Sequence, residues 1–126
     1  MKIGLDFHGV IDTMSEFLSE LSGLLVSNGH EVHVITGEED SKKLREKLQA
    51  LQISYTHLFS IASYHKSIGT NMWYDDKDTP WLNDELWDKT KAVYCAKHEI
   101  DLHLDDSDIY CKHFMTPYAQ IKRGIQ

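Results

Sequence analysis

Three short stretches of this chain carry carboxylates and a hydroxyl to the ends of apolar runs. Lys2-Ile3-Gly4-Leu5 leads into Asp6, with Phe7-His8-Gly9 directly after it; Val34-Ile35 leads into Thr36-Gly37; Leu102-His103-Leu104 leads into Asp105-Asp106-Ser107. An apolar run that stops on a polar residue followed by glycine or serine reads as a strand meeting a turn. In a parallel sheet such residues gather at the carboxyl ends of the strands, so side chains distant in sequence converge on one small ligand. Carboxylates so gathered suit a hard cation held through oxygen.

The elements that must position these groups follow from periodicity. Residues 2–6 form a strand. From Ser15 to Ser27, Phe17, Leu18, Leu21, Leu24 and Leu25 recur at helical spacing, with Ser15 as the cap and Asn28-Gly29 as the stop. Glu31 to Thr36 is a second strand. Ser41 opens a helix that places Leu44, Leu48 and Leu51 on one face. A short third strand falls within 53–61, and 63–81 reads as a long loop or small hairpin. Asn83 or Asp84 caps a helix running to about His98, and Asp101 to Asp105 is a further strand. A last strand is expected at 109–111 or 112–114. The alternation implies right-handed crossovers and an α/β fold, a three-layer Rossmann-like domain around a mainly parallel sheet. Residues 1–126 are expected to form one domain, with neither a linker nor an internal repeat.

Composition narrows the class of function. A net charge of -7 gives no general attraction to nucleic acid or anionic lipid. The most basic stretch, 42–47, follows Glu38, Glu39 and Asp40 and reads as a solvated helix face. Cys95 and Cys111 have neither CxxC nor zinc-site spacing, which suits free thiols in a reducing cytoplasm. No apolar run approaches the ~20 residues of a membrane span, and an uninterrupted signal-peptide core is lacking. A soluble cytoplasmic protein is the expectation.

Asp6-Phe7-His8-Gly9-Val10 resembles the nucleophile motif of the haloacid dehalogenase (HAD) superfamily, which usually reads Asp-x-Asp-Gly-(Val/Thr). Thr36 in Val34-Ile35-Thr36-Gly37 is similar to that family's hydroxyl motif, and Asp105-Asp106-Ser107 to its acidic motif. The resemblance covers most of the chain and implies a small HAD-like phosphatase without a large cap, acting through an aspartyl phosphate. It makes Asp6 the nucleophile and also a Mg²⁺ ligand, with the backbone carbonyl of His8, Asp106 and Asp105 as further ligands. Thr36 and Gly37 would bind the transferring phosphoryl group. Lys91, or else Lys89, would supply the family's lysine. The substrate implied is a small phosphomonoester, a nucleotide being one form, and the cofactor is Mg²⁺.

The departure lies at His8, which stands where the family has its acid/base aspartate. That group contributes about 10²- to 10⁴-fold, and imidazole can exchange protons near neutral pH. The chain therefore reads either as a phosphatase with a histidine acid/base or as a catalytically weakened member that binds metal and a phosphorylated ligand or protein partner. A receiver-like signalling domain fits less well, since its acid pair belongs at the first strand. Elsewhere, Asp12 and Thr13 shape the turn after Asp6, and Asp108 could act only through water. His30, His33, His57 and His98 show no ligand spacing and read as surface or packing residues, and His103 as structural. Trp73, Tyr74 and Trp81 read as loop anchors before a nucleobase wall, and 75–78 as a solvated acidic loop without EF-hand spacing.

Overall fold

The structure, a computed structural model, describes residues 1–122; 123–126 and the side chain of Cys111 lie outside the described residues. Strands β1 (Lys2–Leu5), β2 (Glu31–Thr36), β3 (His57–Ser60), β6 (Leu102–Asp105) and β7 (Tyr118–Gln120) form one sheet in the order β3-β2-β1-β6-β7. Every pairing in it is parallel. The expected α/β architecture is therefore present: a central parallel sheet flanked by helices, Rossmann-like in its layering.

Burial explains why these residues make strands. Ile3, Leu5, Val32 and Val34 point to one face, where they meet Leu18 of α1 (Ser15–Ser27) and Leu44 and Leu48 of α2 (Lys42–Ala50). On the other face Ile35 packs with Tyr94 and Cys95 of α4 (Asp84–Lys97), Ile100, Phe59 and Phe114. Strands buried on both faces are apolar almost throughout, which is how the sequence reads. The chain moves outward from β1 through β2 to β3, then returns past β1 to β6. Right-handed crossovers in opposite directions put α1 and α2 on one face and α4 on the other. They also open a crevice at the carboxyl ends of β1 and β6, where the strand order reverses.

Several expectations needed correction. Ser15 does not cap α1: Met14 holds the cap position and supplies no side-chain hydrogen bond. The third strand shrinks to His57–Ser60, and α3 (Ile61–Ser67) takes residues expected partly as loop. Ser60 caps α3 by accepting the Ser63 N–H at 3.0 Å, while Ile61, Ala62 and His65 turn inward. Only β4 (Trp73–Tyr74) and β5 (Pro80–Trp81) form the hairpin, held by Asp75, which accepts from the Lys77 and Thr79 N–H groups and from the Trp81 indole. The last strand is neither 109–111 nor 112–114. Ser107 accepts the Ile109 N–H at 3.2 Å and starts α5 (Asp108–Cys111), so the final pairing passes to β7 beside β6. No helix among the described residues is long and apolar enough to cross a membrane.

Candidate active site

Asp6 leaves β1 at the floor of a cleft of ≈ 990 Å³ that is also lined by Thr36, Lys91 and Asp106. Its backbone N–H still pairs with Leu104 of β6 at 3.0 Å, so the central strands fix its position to the last residue. Its Oδ1 accepts the Phe7 N–H at 2.9 Å. The chain then makes a wide turn, closed by Ile11 N–H to the Asp6 carbonyl at 3.3 Å and Asp12 N–H to the Phe7 carbonyl at 3.2 Å. Gly9 sits in that turn at φ 84°, a conformation costly for other residues. A Cβ there would lie 2.1 Å from Asp106 Oδ2, so the missing side chain is what admits the Asp106 carboxylate.

Lys91 is the group that ties the two central strands together. It projects from α4 with 1% of its surface exposed, its Nζ 2.8 Å from Asp105 Oδ2 and 3.0 Å from Asp6 Oδ1, and 4.6 Å from the centre of the Tyr110 ring. Lys89 points the other way and pairs with Glu85 at 2.6 Å, which decides between the two lysines on position. His103 Nε2 lies 3.0 Å from the same Asp105 oxygen. Gly4 makes room for that ring, since a Cβ would come within 2.6 Å of His103 Nδ1.

The electrostatics follow from this packing. Burial pushes the Asp105 carboxyl up, but the hydrogen bond from His103 and the charge of Lys91 outweigh it and hold it well below the usual carboxylate range. Asp6 goes the other way: burial raises it to about 7, with Lys91 opposing and Asp105 and Asp106 adding to the rise. Lys91 keeps its proton, because Asp6 and Asp105 overcome a burial that would otherwise remove it. One ammonium thus bridges two buried carboxyl groups, Asp6 and Asp105.

Thr36 is fully buried at the end of β2, its Oγ1 accepting the Glu38 N–H at 3.2 Å. Gly37 packs under Trp87, where a Cβ would approach Cζ2 to 2.6 Å. His8 lines the same cleft, with over half its side chain exposed. Its Nε2 lies 2.9 Å from Glu38 Oε1, and its Nδ1 3.6 Å from Asp12 Oδ2. Burial raises the Glu38 carboxyl, but hydrogen bonds from His8 and Lys47 bring it below its ordinary value. Asp108 is engaged by the Gln120 side chain and lines a separate groove with Gly9 and Asp12.

The structure therefore brings Asp6, Lys91, Asp105 and Asp106 into one cluster, with Thr36, Gly37 and His8 around the same cleft. Sequence reasoning missed Glu38 as the partner of His8, although it follows Thr36-Gly37 directly. It also missed Tyr110, which stands over Lys91, and the link from His103 to Asp105. Carboxylate oxygens of Asp6, Asp105 and Asp106 lie within 4.8 Å of one another. This all-oxygen, net-negative set fits a hard divalent cation such as Mg²⁺. Comparison with known proteins yields no matching family model and no matching curated sequence.

Proposed function

We propose that this chain is a Mg²⁺-dependent phosphohydrolase of the HAD type, acting on a small phosphomonoester. The carrying observation is the buried Asp6–Lys91–Asp105 contact at the switch point of the sheet, with Asp106 packed beside it on Gly9. Asp6 is the nucleophile: its carboxylate attacks phosphorus, the bond to the leaving oxygen breaks, and an aspartyl phosphate forms. Lys91 offsets charge on the incoming phosphoryl group, and Thr36 and the Gly37 N–H bind its oxygens. Asp6, Asp105, Asp106 and the His8 carbonyl would hold Mg²⁺, which when bound supplies further charge stabilisation.

His8 stands as the acid/base. It gives a proton to the departing alcohol and takes one from the water that then cleaves the acyl phosphate, releasing phosphate and restoring Asp6. Glu38 orients the ring from its Nε2 side. Trp81, nearly half exposed on the cleft wall, supports a nucleotide or another aromatic-bearing monoester as substrate.

One observation favours a second reading. The His8 ring is bracketed by Glu38 and Asp12 and makes no hydrogen bond to Asp6 among the described residues, as in a weakened member that holds metal and a phosphorylated ligand without turnover. Hydrolysis of an aryl phosphate with and without Mg²⁺ separates the readings. The phosphatase reading expects wild-type turnover that requires Mg²⁺ and disappears in Asp6→Asn. No wild-type turnover, with a gain of about 10²-fold or more in His8→Asp, establishes the second. Full activity in Asp6→Asn refutes the assigned nucleophile.

A further inference from the structure

Towards the amino ends of β2 and β3, away from the cleft, Glu31, His33 and His57 converge. Glu31 and His33 are two apart on β2 and so share a face; His33 and His57 are register partners across β2 and β3 and share it too. His33 Nε2 lies 2.8 Å from Glu31 Oε1, and His57 Nδ1 lies 3.9 Å from the same oxygen. One donor atom from each of the three falls within 4.8 Å of the others. No sequence spacing announces this set, because the strand register assembles it.

We propose that Glu31, His33 and His57 form a binding site for Zn²⁺, separate from the carboxylate cluster. Zinc takes imidazole nitrogen and carboxylate oxygen at about 2.0–2.2 Å, which puts neighbouring ligand atoms of a tetrahedral site roughly 3.3 Å apart. The 2.8 Å from His33 Nε2 to Glu31 Oε1 need widen only slightly to reach that spacing, and His57 Nδ1, 3.9 Å from the same oxygen, reaches it by a movement of its ring. His33 is preorganised: its ring is 1% exposed, and its Nδ1 lies 2.7 Å from the Tyr94 hydroxyl. That contact is the outer hydrogen bond that orients Nε2 of a ligating histidine; without metal Nε2–H donates to Glu31 and Nδ1 accepts from the Tyr94 hydroxyl, so binding moves the ring proton to Nδ1. With zinc on Nε2, Nδ1–H donates to Tyr94.

Glu31 and His57 are accessible, with 39% and 46% of their side chains exposed, so an ion can enter from solvent. The His33 and His57 rings stack at 4.1 Å and 6°. The in-plane lone pairs of parallel rings do not meet, so binding requires the His57 ring to swing out of the stack and give up its 2.9 Å contact with Thr56 Oγ1. Water completes the coordination, or His98, whose ring centre lies 5.9 Å from that of His33. Two imidazoles and one carboxylate select zinc over Mg²⁺, whereas Asp6, Asp105 and Asp106 offer oxygen alone.

The test is equilibrium dialysis against Zn²⁺ followed by metal quantification and competition with a chromophoric chelator. The wild type is compared with His57→Ala, Glu31→Gln, Tyr94→Phe and Asp106→Asn, and the imidazole NMR signals are followed. One zinc should bind and shift the His33 and His57 signals. His57→Ala and Glu31→Gln should lose it, Tyr94→Phe should weaken it about 10- to 100-fold, and Asp106→Asn should retain it. Failure of the wild type to retain zinc overturns the proposal. So does undiminished affinity in His57→Ala, or loss confined to Asp106→Asn, which would move the ion to the carboxylates.

Discussion

Without a divalent cation, Asp6→Asn should stabilise the protein, and by an amount that grows with pH. Asp6 is 6% exposed and its carboxyl is raised from 3.8 to about 7, chiefly by burial and then by Asp105 and Asp106 against the opposing charge of Lys91. The folded chain therefore holds a proton that the unfolded chain has already released between about pH 4 and 7. In that window the folded state binds more protons, so its stability falls as pH rises. At ~1.4 kcal/mol for each tenfold change in proton affinity, the full loss above neutrality is about 4 kcal/mol. Asparagine removes that cost, in which the attraction of Lys91 is already counted, so the gap above neutrality should be about 4 kcal/mol, or roughly 15 °C in Tm. Lys91 retains Asp105 as its partner. Circular dichroism of thermal and urea unfolding in a chelator, from pH 4.5 to 8.5, measures the gap. It should close at the acid end, and Mg²⁺ should narrow it at the alkaline end by stabilising the wild type. A variant less stable than the wild type at pH 8, or a gap indifferent to pH, would refute this account of Asp6.

Two further substitutions probe the same cluster from other sides. Lys91→Met strips the ammonium from between two buried carboxylates and should cost about 3–5 kcal/mol in urea unfolding; a loss under 1 kcal/mol would show that the cluster is solvated. Gly9→Ala places a methyl 2.1 Å from Asp106 Oδ2 at a φ of 84°. It should displace Asp106 and weaken Mg²⁺ binding, read as a smaller Mg²⁺-induced rise in Tm, while far-ultraviolet circular dichroism stays native.

Much of the architecture was legible because it is written locally. The apolar runs before Asp6, Thr36 and Asp105 are strands buried on both faces, and the spacing of Leu18 or of Leu44 and Leu48 is that of a helix covering one face. Of the two cap candidates, Asn83 and Asp84, it is Asn83 that caps α4, its side chain accepting the Leu86 N–H at 3.1 Å. The errors fell where local pattern is thin. α3 is short, with only Ile61, Ala62 and His65 turned inward, and β7 is three half-buried residues that become a strand because β6 has an open edge to pair with.

The site divides in the same way. The sequence alone placed Asp6, Thr36 and Asp105 at strand ends, since the end of a strand is a property of consecutive residues. Lys91 ranked ahead of Lys89 in the sequence, but the two, being two apart on a helix and so on nearly opposite sides of it, are told apart in position only by packing against the sheet, which buries Lys91 and leaves Lys89 with Glu85. Likewise the bond between His8 and Glu38, the seat of Asp106 on Gly9 and the meeting of His33 with His57 depend on which strands neighbour which, and in what register. Register and crossover are set by the whole core burying its two faces at once, and for that reason only the tertiary structure decides them.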